Sequence, residues 1–302
     1  MLPLLKSLRP RQWSKNVVIF AGLAFSGAAT DQGLLVSALT AFAAFCLASS
    51  AVYIVNDIFD RERDRLHPIK RHRPIASGTI SVKAGILFAI ILVAASLFLS
   101  SLVGTAVWAI GGYLVLQALY TPWLKHVVLL DVFSIAAGFS LRVLGGAWAI
   151  EAPLSPWLVA CTVQLALFLA LCKRRAEAAN LSPEQLSGDT TTGQRPILAE
   201  YAGQGTDMMV GIMAAATLVT FTLYTLLPAS VLSPGIPDLE SRAGEPGMVF
   251  TLPFVFYGVL RYLHLVYSKG EGERPERIAT MDPPMIIAGL GFVAVAGGVI
   301  YF

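Results

Sequence analysis

Long runs of apolar residues constrain the fold of this chain more than any other feature of its sequence. A helix that crosses the hydrocarbon core of a bilayer needs about 20 apolar residues. Nine segments approach that length, at 15–30, 33–58, 82–101, 104–121, 127–149, 155–172, 206–228, 248–268 and 283–301. Only 14% of the residues are charged, which excludes an ordinary soluble domain. The runs are continuous rather than alternating, so we predict an all-α membrane protein with nine transmembrane helices.

The basic residues are distributed asymmetrically about these spans. If the N-terminus is cytoplasmic and each span crosses once, 20 of the 22 Lys and Arg residues fall on the inner side. Arg242 falls outside, and Arg142 lies within a span. This positive-inside pattern predicts a cytoplasmic N-terminus in the inner membrane. We expect one integral membrane catalytic domain, 1–302, with inner cap segments at 59–81, 173–205 and 261–282.

An acidic motif, N-D-I-F-D-R-E-R-D at 56–64, stands at the inner end of the second span. In a continuing helix, Asn56, Asp60 and Asp64 line one face, with Asp57 beside them. Neighbouring carboxylates repel one another unless a divalent cation neutralises them. Oxygen ligands with room for water suit Mg²⁺ that is bound to substrate phosphates. The alternative is a solvated helix end at which the interspersed arginines pair with the acids.

Two basic sets accompany this motif on the inner side. Lys70, Arg71 and Arg73 lie in a proline-bounded loop just after the acids, and a second set, 173–177, ends the sixth span. Cations of this kind bind phosphate oxygens. Anchoring at the membrane surface is the alternative for the second set. Glu177 is harder to explain by anchoring, and it is a candidate ligand for a metal or a sugar hydroxyl.

With these motifs the chain resembles the UbiA superfamily of intramembrane prenyltransferases, nine-helix proteins with an N-D-x-x-D-x-x-x-D motif after helix two. The segment R-P-I-A-S-G at 73–78 also fits that pattern. Ordinary members carry a second acidic D-x-x-x-D motif after helix six, which this chain lacks. K-R-R-A-E at 173–177 looks instead like the K-R-x-A-E of the branch typified by decaprenyl-phosphate phosphoribosyltransferase. Segments 9–16 and 270–278, with Asp282, also resemble that branch, although Pro283 stands where a basic residue is expected.

The resemblance implies magnesium-dependent transfer of a phosphoribosyl group from phosphoribosyl diphosphate to a polyprenyl phosphate at the cytoplasmic membrane face. Asp57, Asp60 and Asp64 are the expected catalytic carboxylates, and Asn56, Asp60 and Asp64 the expected Mg²⁺ ligands. The expected substrate-binding residues are Lys15, Lys70, Arg71, Arg73, Lys173, Arg174 and Glu177. The two substrates and membrane lipids are the expected partners, and no nucleic acid is expected.

Other polar residues near the inner helix ends are weaker candidates. They are Tyr53, Tyr120, Lys125, Asp131, Arg142, Glu276 and Asp282. Arg142 is noteworthy because an arginine inside a span costs about 2.5–3.5 kcal/mol on insertion scales. It could contact a phosphate, Asp131 or another structural partner.

Two other functions stay open at this point. An ordinary prenyltransferase would move an isoprenoid from a prenyl diphosphate to an aromatic or other acceptor, and the missing second acidic motif argues against it. A transporter would carry its acids near the bilayer midplane on broken helices. The acids of this chain cluster at the cytoplasmic end of a span instead.

Overall fold

The computed structural model describes residues 2–153, 155–181, 196–227, 246–273 and 275–302. Within these ranges all regular secondary structure is helical. Parts of two loops, 182–195 and 228–245, lie outside the described residues. Three basic residues of the topology argument, Arg195, Arg242 and Arg274, lie outside them as well.

The α-helices of the described ranges are α1 (Leu2–Ser7), α2 (Ala21–Phe25), α3 (Gln32–Phe59), α4 (Arg61–Leu66), α5 (Val82–Ser101), α6 (Ala106–Tyr120), α7 (Leu130–Ala149), α8 (Pro156–Ala179), α9 (Gln204–Leu226), α10 (Leu252–Lys269), α11 (Pro275–Met281) and α12 (Pro283–Tyr301). Shorter 3-10 helices occupy Pro10–Phe20, Lys70–His72, Leu124–His126, Pro196–Tyr201 and Pro246–Thr251.

Seven helices of the described residues are long and apolar enough to cross a membrane. They are α3, α5, α7, α8, α9, the stretch Gly247–Lys269 that contains α10, and α12. Helix α6 has 15 residues and is about 22 Å long, shorter than a hydrocarbon core of about 30 Å. The first candidate span, 15–30, is divided between a 3-10 helix and α2. A multi-pass helical membrane protein is therefore confirmed, and the count of nine spans stays a prediction.

Local capping explains where several of these helices begin and end. The Asp31 carboxylate accepts a hydrogen bond from the Leu34 N–H at the start of α3, and the Ser81 hydroxyl does the same for α5. Helix α10 ends at Gly270, whose φ of 67° lies in the left-handed region that glycine adopts readily. These caps satisfy backbone groups that a helix terminus leaves unpaired.

Among the helix boundaries that differ from the predicted spans, two lie at the charged motifs. Helix α8 continues to Ala179 rather than ending at residue 172, because its charged last turns form i,i+3 and i,i+4 pairs that stabilise a helix in water. Helix α3 ends at Phe59 and α4 begins at Arg61. The backbone still bonds across this break, since the Asp64 N–H donates to the Asp60 carbonyl at 2.8 Å.

The chain divides into two compact units, and unit 1 comprises 1–125 and 141–152. Helix α3 packs against α5 and α6, and its core with α6 includes Phe45, Ile110 and Tyr113. Ala41, Ala44 and Ala48 recur on the buried face of α3. Small residues at this spacing let transmembrane helices approach closely.

Unit 2 comprises 126–140 and 153–302. Its core lies between α8, α9 and α10, and Phe168 meets Tyr262 there in an edge-on contact with ring centroids 5.6 Å apart. Tyr201 and Leu265 are fully buried in the same core. This packing places the charged end of α8 next to the 3-10 helix Pro196–Tyr201.

Two glycines near the end of α7 permit close packing within unit 1. A Cβ atom on Gly145 would overlap the Phe45 ring at 2.5 Å, and one on Gly146 would overlap the Ile19 backbone carbonyl. The ring can shift, whereas the carbonyl belongs to the main chain. Of these two glycines, Gly146 is therefore the one that cannot accept the methyl group of an alanine.

We expect Gly146→Ala to lower the free energy of unfolding by about 1–3 kcal/mol through overpacking. Gly111 is the matched control, because a Cβ there meets no atom within 4 Å. Gly111→Ala should stabilise α6 by up to about 1 kcal/mol through helix propensity. Thermal unfolding in detergent measures both, and a Gly146→Ala midpoint at or above that of the unmodified protein would contradict the assignment.

Candidate active site

The acidic motif of unit 1 folds so that two carboxylates meet one guanidinium. Asp57 and Asp64 lie seven residues apart, two helical turns, and both are buried. Arg73 Nη1 donates to Asp57 Oδ1 at 3.1 Å and to Asp64 Oδ2 at 2.6 Å. Arg9 forms a second ion pair with Asp57. Charge repulsion between the two buried acids is thus balanced by arginines.

The other two candidate ligands of the motif, Asn56 and Asp60, have different neighbours. Asp60 is partly exposed, with 30% of its side chain accessible, and Lys125 Nζ lies 3.6 Å from its Oδ1. The Thr121 hydroxyl donates to Asn56 Oδ1 at 2.6 Å. Lys125, a weaker sequence candidate, is itself buried. Asp60 is therefore the most accessible of the three aspartates of this motif.

The chemistry of these donors fits magnesium. Among the described residues no group of three His, Cys, Asp or Glu side chains is spaced to hold a metal by itself. Mg²⁺ does not require such a cage, since one or two carboxylates suffice when substrate phosphates and water complete the octahedron. Asp60 and Asp64 lie one helical turn apart and supply the oxygens that this ion prefers.

The remaining basic candidates of unit 1 differ in exposure. Lys70 and Arg71 are exposed and form no ion pair with the described residues; Arg71 Nε donates to His72 Nε2 at 3.4 Å. Lys15 is half-buried in the 3-10 helix Pro10–Phe20. Tyr120, also half-buried, is the last residue of α6.

Arg142 lies in a buried polar cluster of unit 1. Its Nε donates to Asn16 Oδ1 at 2.7 Å, and its Nη2 donates to the Tyr113 hydroxyl at 3.2 Å. The guanidinium also stacks over the Tyr113 ring, 4.6 Å from its centroid. Among the partners that the sequence left open for Arg142, the structure therefore shows two side chains of the protein, Asn16 and Tyr113. The cation–π contact offsets part of the cost of burying the guanidinium.

In unit 2, Arg174 is the centre of a buried network. Its Nε donates to Asp131 Oδ2 at 2.6 Å, and its Nη1 donates to Glu177 Oε2 at 2.5 Å. The Tyr201 hydroxyl donates to Asp131 Oδ1 at 2.5 Å and accepts from the Leu129 N–H at 2.8 Å. Burial and the hydrogen bond to Asp131 raise the pKa of Tyr201. Arg174 thus joins α8 to the start of α7.

Lys173 and Glu177 lie next to this network and are more accessible. Lys173 Nζ is 3.8 Å from Glu177 Oε1, and 35% and 24% of their side chains are exposed. Arg174, by comparison, is 5% exposed. A partly exposed ammonium and a carboxylate one turn apart can bind a phosphate and a hydroxyl. Phosphate binding by Arg174 stays a prediction, and the burial of the Arg174 side chain does not favour it.

Sequence reasoning missed several residues of these networks, among them Thr121, Tyr201 and Asp207. Asp207 accepts from Arg175 Nε at 2.6 Å and from the Tyr267 hydroxyl at 2.9 Å. A lone acid near the inner end of a span was the signal that could have identified it. Thr121 and Tyr201 carry no such signal, because their partners are distant in sequence.

Asp282, in the last inner segment, has a structural role. Its Oδ2 accepts from the Met285 N–H at 3.1 Å and so caps α12, where Pro283 occupies the first helical position. The Arg261 guanidinium hydrogen-bonds both Asp282 oxygens and holds the pKa of that carboxyl below its ordinary value. The unexpected Pro283 therefore fits a helix start. Glu276 lies half-buried in the first turn of α11.

The chain is similar over nearly its whole length to known proteins. The decaprenyl-phosphate phosphoribosyltransferase of Mycolicibacterium smegmatis is 32% identical over 99% of this chain and 92% of its own. The enzyme of the same name from Corynebacterium glutamicum is 32% identical over 96% and 84% of the two chains. A UbiA homolog from Archaeoglobus fulgidus bound to GPP and Mg²⁺ has a TM-score of 0.69 at 19% identity, over 99% and 100% of the chains.

The fold is therefore that of the UbiA homologs, and a family model confirms the relationship by sequence. The model of the UbiA prenyltransferase family matches residues 17–278. That stretch contains the acidic motif at 56–64, the basic loop before α5 and the charged end of α8. The protein is a multi-pass membrane transferase, and the chain belongs to the UbiA prenyltransferase family.

Proposed function

We propose that this protein transfers a 5-phosphoribosyl group from phosphoribosyl diphosphate to a polyprenyl phosphate and releases pyrophosphate, with Mg²⁺ as the required ion. The observation that carries the proposal is the pair Lys173 and Glu177, which stands on α8 where ordinary family members carry a second acidic motif. Near-full-length similarity to enzymes named for this reaction supports it.

The acidic motif supplies the chemistry that a departing diphosphate needs. We assign Asn56, Asp60 and Asp64 to the magnesium that accompanies the diphosphate, and that ion neutralises charge on the leaving group. A relative of the same fold is bound to a prenyl diphosphate and Mg²⁺. Arg73 lies against Asp64, so its guanidinium can exchange one anionic partner, the carboxylate, for another, the phosphate.

The donor of a phosphoribosyl reaction carries one phosphate more than a prenyl diphosphate. An additional phosphate requires a cation and not another pair of acids, and Lys173 supplies an accessible one. We assign Glu177 to a sugar hydroxyl, and the exposed Lys70 and Arg71 to further phosphate oxygens, together with Lys15. These groups act as hydrogen-bond donors and acceptors that orient the substrate.

The bond changes in the reaction are simple. The bond between the anomeric carbon and the diphosphate oxygen breaks as positive charge develops on that carbon, and an oxygen of the acceptor phosphate forms the new bond. The acceptor is anionic at neutral pH, so no strong general base is required. Prenyl transfer also couples a departing diphosphate to a carbon centre of growing positive charge, which explains how one scaffold serves both.

The proposal includes nine spans, a cytoplasmic N-terminus and a reaction at the cytoplasmic face of the inner membrane. The inward bias of Lys and Arg supports this orientation. It places the acids at 56–64 on the side where soluble phosphoribosyl diphosphate is available. The polyprenyl chain of the acceptor lies in the bilayer among membrane lipids.

A second candidate is prenyl transfer, which is favoured by the solved relative that holds a prenyl diphosphate. The two candidates are separated by one assay with purified protein, Mg²⁺ and an EDTA control. Label that passes from phosphoribosyl diphosphate to polyprenyl phosphate only with Mg²⁺ supports the first. Consumption of prenyl diphosphate without ribosyl transfer would replace it with the second.

We expect Asp60→Asn to lower metal-dependent transfer by about 100-fold or more, because a carboxylate ligand is lost from an accessible position. The steady-state rate as a function of Mg²⁺ concentration measures this. Glu62→Gln is the matched control, since Glu62 lies two residues away, is 75% exposed and pairs with Arg65 at the surface. Full activity of Asp60→Asn would exclude the metal-site assignment.

We expect Lys173→Ala to raise KM for phosphoribosyl diphosphate about tenfold and to leave KM for the lipid within about twofold, because the removed contact is to the sugar phosphate. Initial rates with each substrate varied separately test this. Lys83→Ala, at the exposed start of α5, should change neither value. An effect confined to the lipid would reverse the assignment of Lys173.

A further inference from the structure

The N-terminal segment 8–16 lies along one face of α3. The α3 residues that it contacts are Cys46, Ser49, Ser50, Tyr53 and Asp57. Cys46, Ser50, Tyr53 and Asp57 follow at steps of three or four residues and so lie in one row along the helix, with Ser49 beside it. The row ends at the acidic motif.

Polar contacts join the middle of this segment to α3. Trp13 Nε1 donates to the Ser50 hydroxyl at 3.1 Å, and that hydroxyl lies 2.9 Å from the Leu8 carbonyl oxygen. Asn16 Nδ2 donates to Cys46 Sγ at 3.2 Å, and Asn16 itself is held by Arg142. The segment is thus anchored at several points that are buried or half-buried.

Arg9 connects this segment to the acidic motif. Its guanidinium pairs with Asp57 and lies over the Tyr53 ring, 5.0 Å from the centroid. Its backbone has a φ of 52°, in the left-handed region that is unfavourable for residues with a Cβ atom. Such a conformation persists only where surrounding contacts hold it, and the contacts with Tyr53 and Asp57 do so.

Asp57 is held by two arginines, whereas Asp64 shares only one of them. Its side chain is 3% exposed, and Oδ1 accepts from both Arg9 and Arg73. The same Arg73 Nη1 reaches Asp64. A continuous chain of ion pairs therefore runs from the N-terminal segment through Asp57 and Arg73 to Asp64.

We infer that segment 8–16 is a strap, and that Arg9 and Asp57 are positioning residues that hold Arg73 beside Asp64. This role replaces the catalytic one expected for Asp57 from the sequence. It rests on the proposed function in one respect, namely that Asp64 and Arg73 serve a magnesium diphosphate. Docking of the strap itself is independent of which reaction the protein catalyses.

Docking of the strap on α3 is measured as the rate of trypsin cleavage after Lys15. The full chain is held in lipid nanodiscs, and intact-mass spectrometry identifies the product. Cleavage tracks the population in which the strap has opened. Arg9→Gln and Asp57→Asn should each accelerate it about tenfold, and the double variant should accelerate it by clearly less than the product of the two effects, because the ion pair between Arg9 and Asp57 is lost in all three. Trp13→Phe keeps the charges of Arg9 and Asp57 but loses the hydrogen bond to Ser50, and it should also accelerate cleavage.

Two variants serve as controls for docking. Arg9→Lys keeps the charge and should restore slow cleavage. Arg11→Gln removes a charge from an exposed position of the same segment and should leave cleavage after Lys15 within about twofold of the unmodified protein. Slow cleavage in both Arg9→Gln and Trp13→Phe, or additive effects in the double variant, would overturn the strap.

Positioning is measured by kinetics of the same variants. Arg9→Gln and Asp57→Asn should lower kcat about tenfold and leave the half-saturating Mg²⁺ concentration within about twofold, because geometry is lost and no ligand is removed. Arg9→Lys should recover kcat. A raised Mg²⁺ requirement in Asp57→Asn alone would make Asp57 a ligand and overturn the positioning role, as would a normal kcat in Arg9→Gln.

The two measurements separate this inference from the proposed function. If the unmodified protein transfers no phosphoribosyl group, the proposed function fails, and the cleavage rates still decide whether the strap exists. If transfer occurs and the cleavage rates of Arg9→Gln and Trp13→Phe stay low, the strap fails while the proposed function stands.

Discussion

Buried carboxylates need cations close by, and in this protein arginines from outside the helix of each carboxylate supply them. Asp57 and Asp64 share Arg73, and Asp131 binds Arg174, with every acid of these pairs almost fully buried. Loss of one partner from a buried pair typically costs about 3–5 kcal/mol, because the other charge is left uncompensated. The ion pairs therefore determine which loops and helices are held in place near the acidic and basic motifs.

The same pairs separate the charged residues by function. Arg174 has two carboxylate partners and is buried, whereas Lys173 and Asp60 are accessible and make longer ion contacts of 3.8 and 3.6 Å. A charged side chain that is buried against its ion-pair partner contributes to the structure. A charged side chain that is partly hydrated can exchange its partner for a substrate. By this distinction Lys173 and Asp60 are the groups most available for the proposed phosphate and metal contacts, whereas Asp64 becomes available only as Arg73 exchanges it for a phosphate.

Much of the architecture could be predicted from hydropathy. Helices α5 and α12 begin and end within a residue or two of the predicted spans, because apolar runs of that length have few alternatives in lipid. Helix α8 continues past residue 172, where its apolar run ends, through charged residues to Ala179. Hydropathy detects the membrane boundary, and hydrogen bonding determines where a helix stops.

The sequence by itself determined the membrane class, the family and the residue types of the candidate site, since apolar length, charge bias and motif spacing are local properties. The tertiary structure decided which charges are buried together. It placed Arg9 on Asp57, Thr121 on Asn56 and Tyr201 on Asp131. These partners are 48, 65 and 70 residues apart. Only the packing of helices brings such groups into hydrogen-bond distance, and no local pattern encodes it.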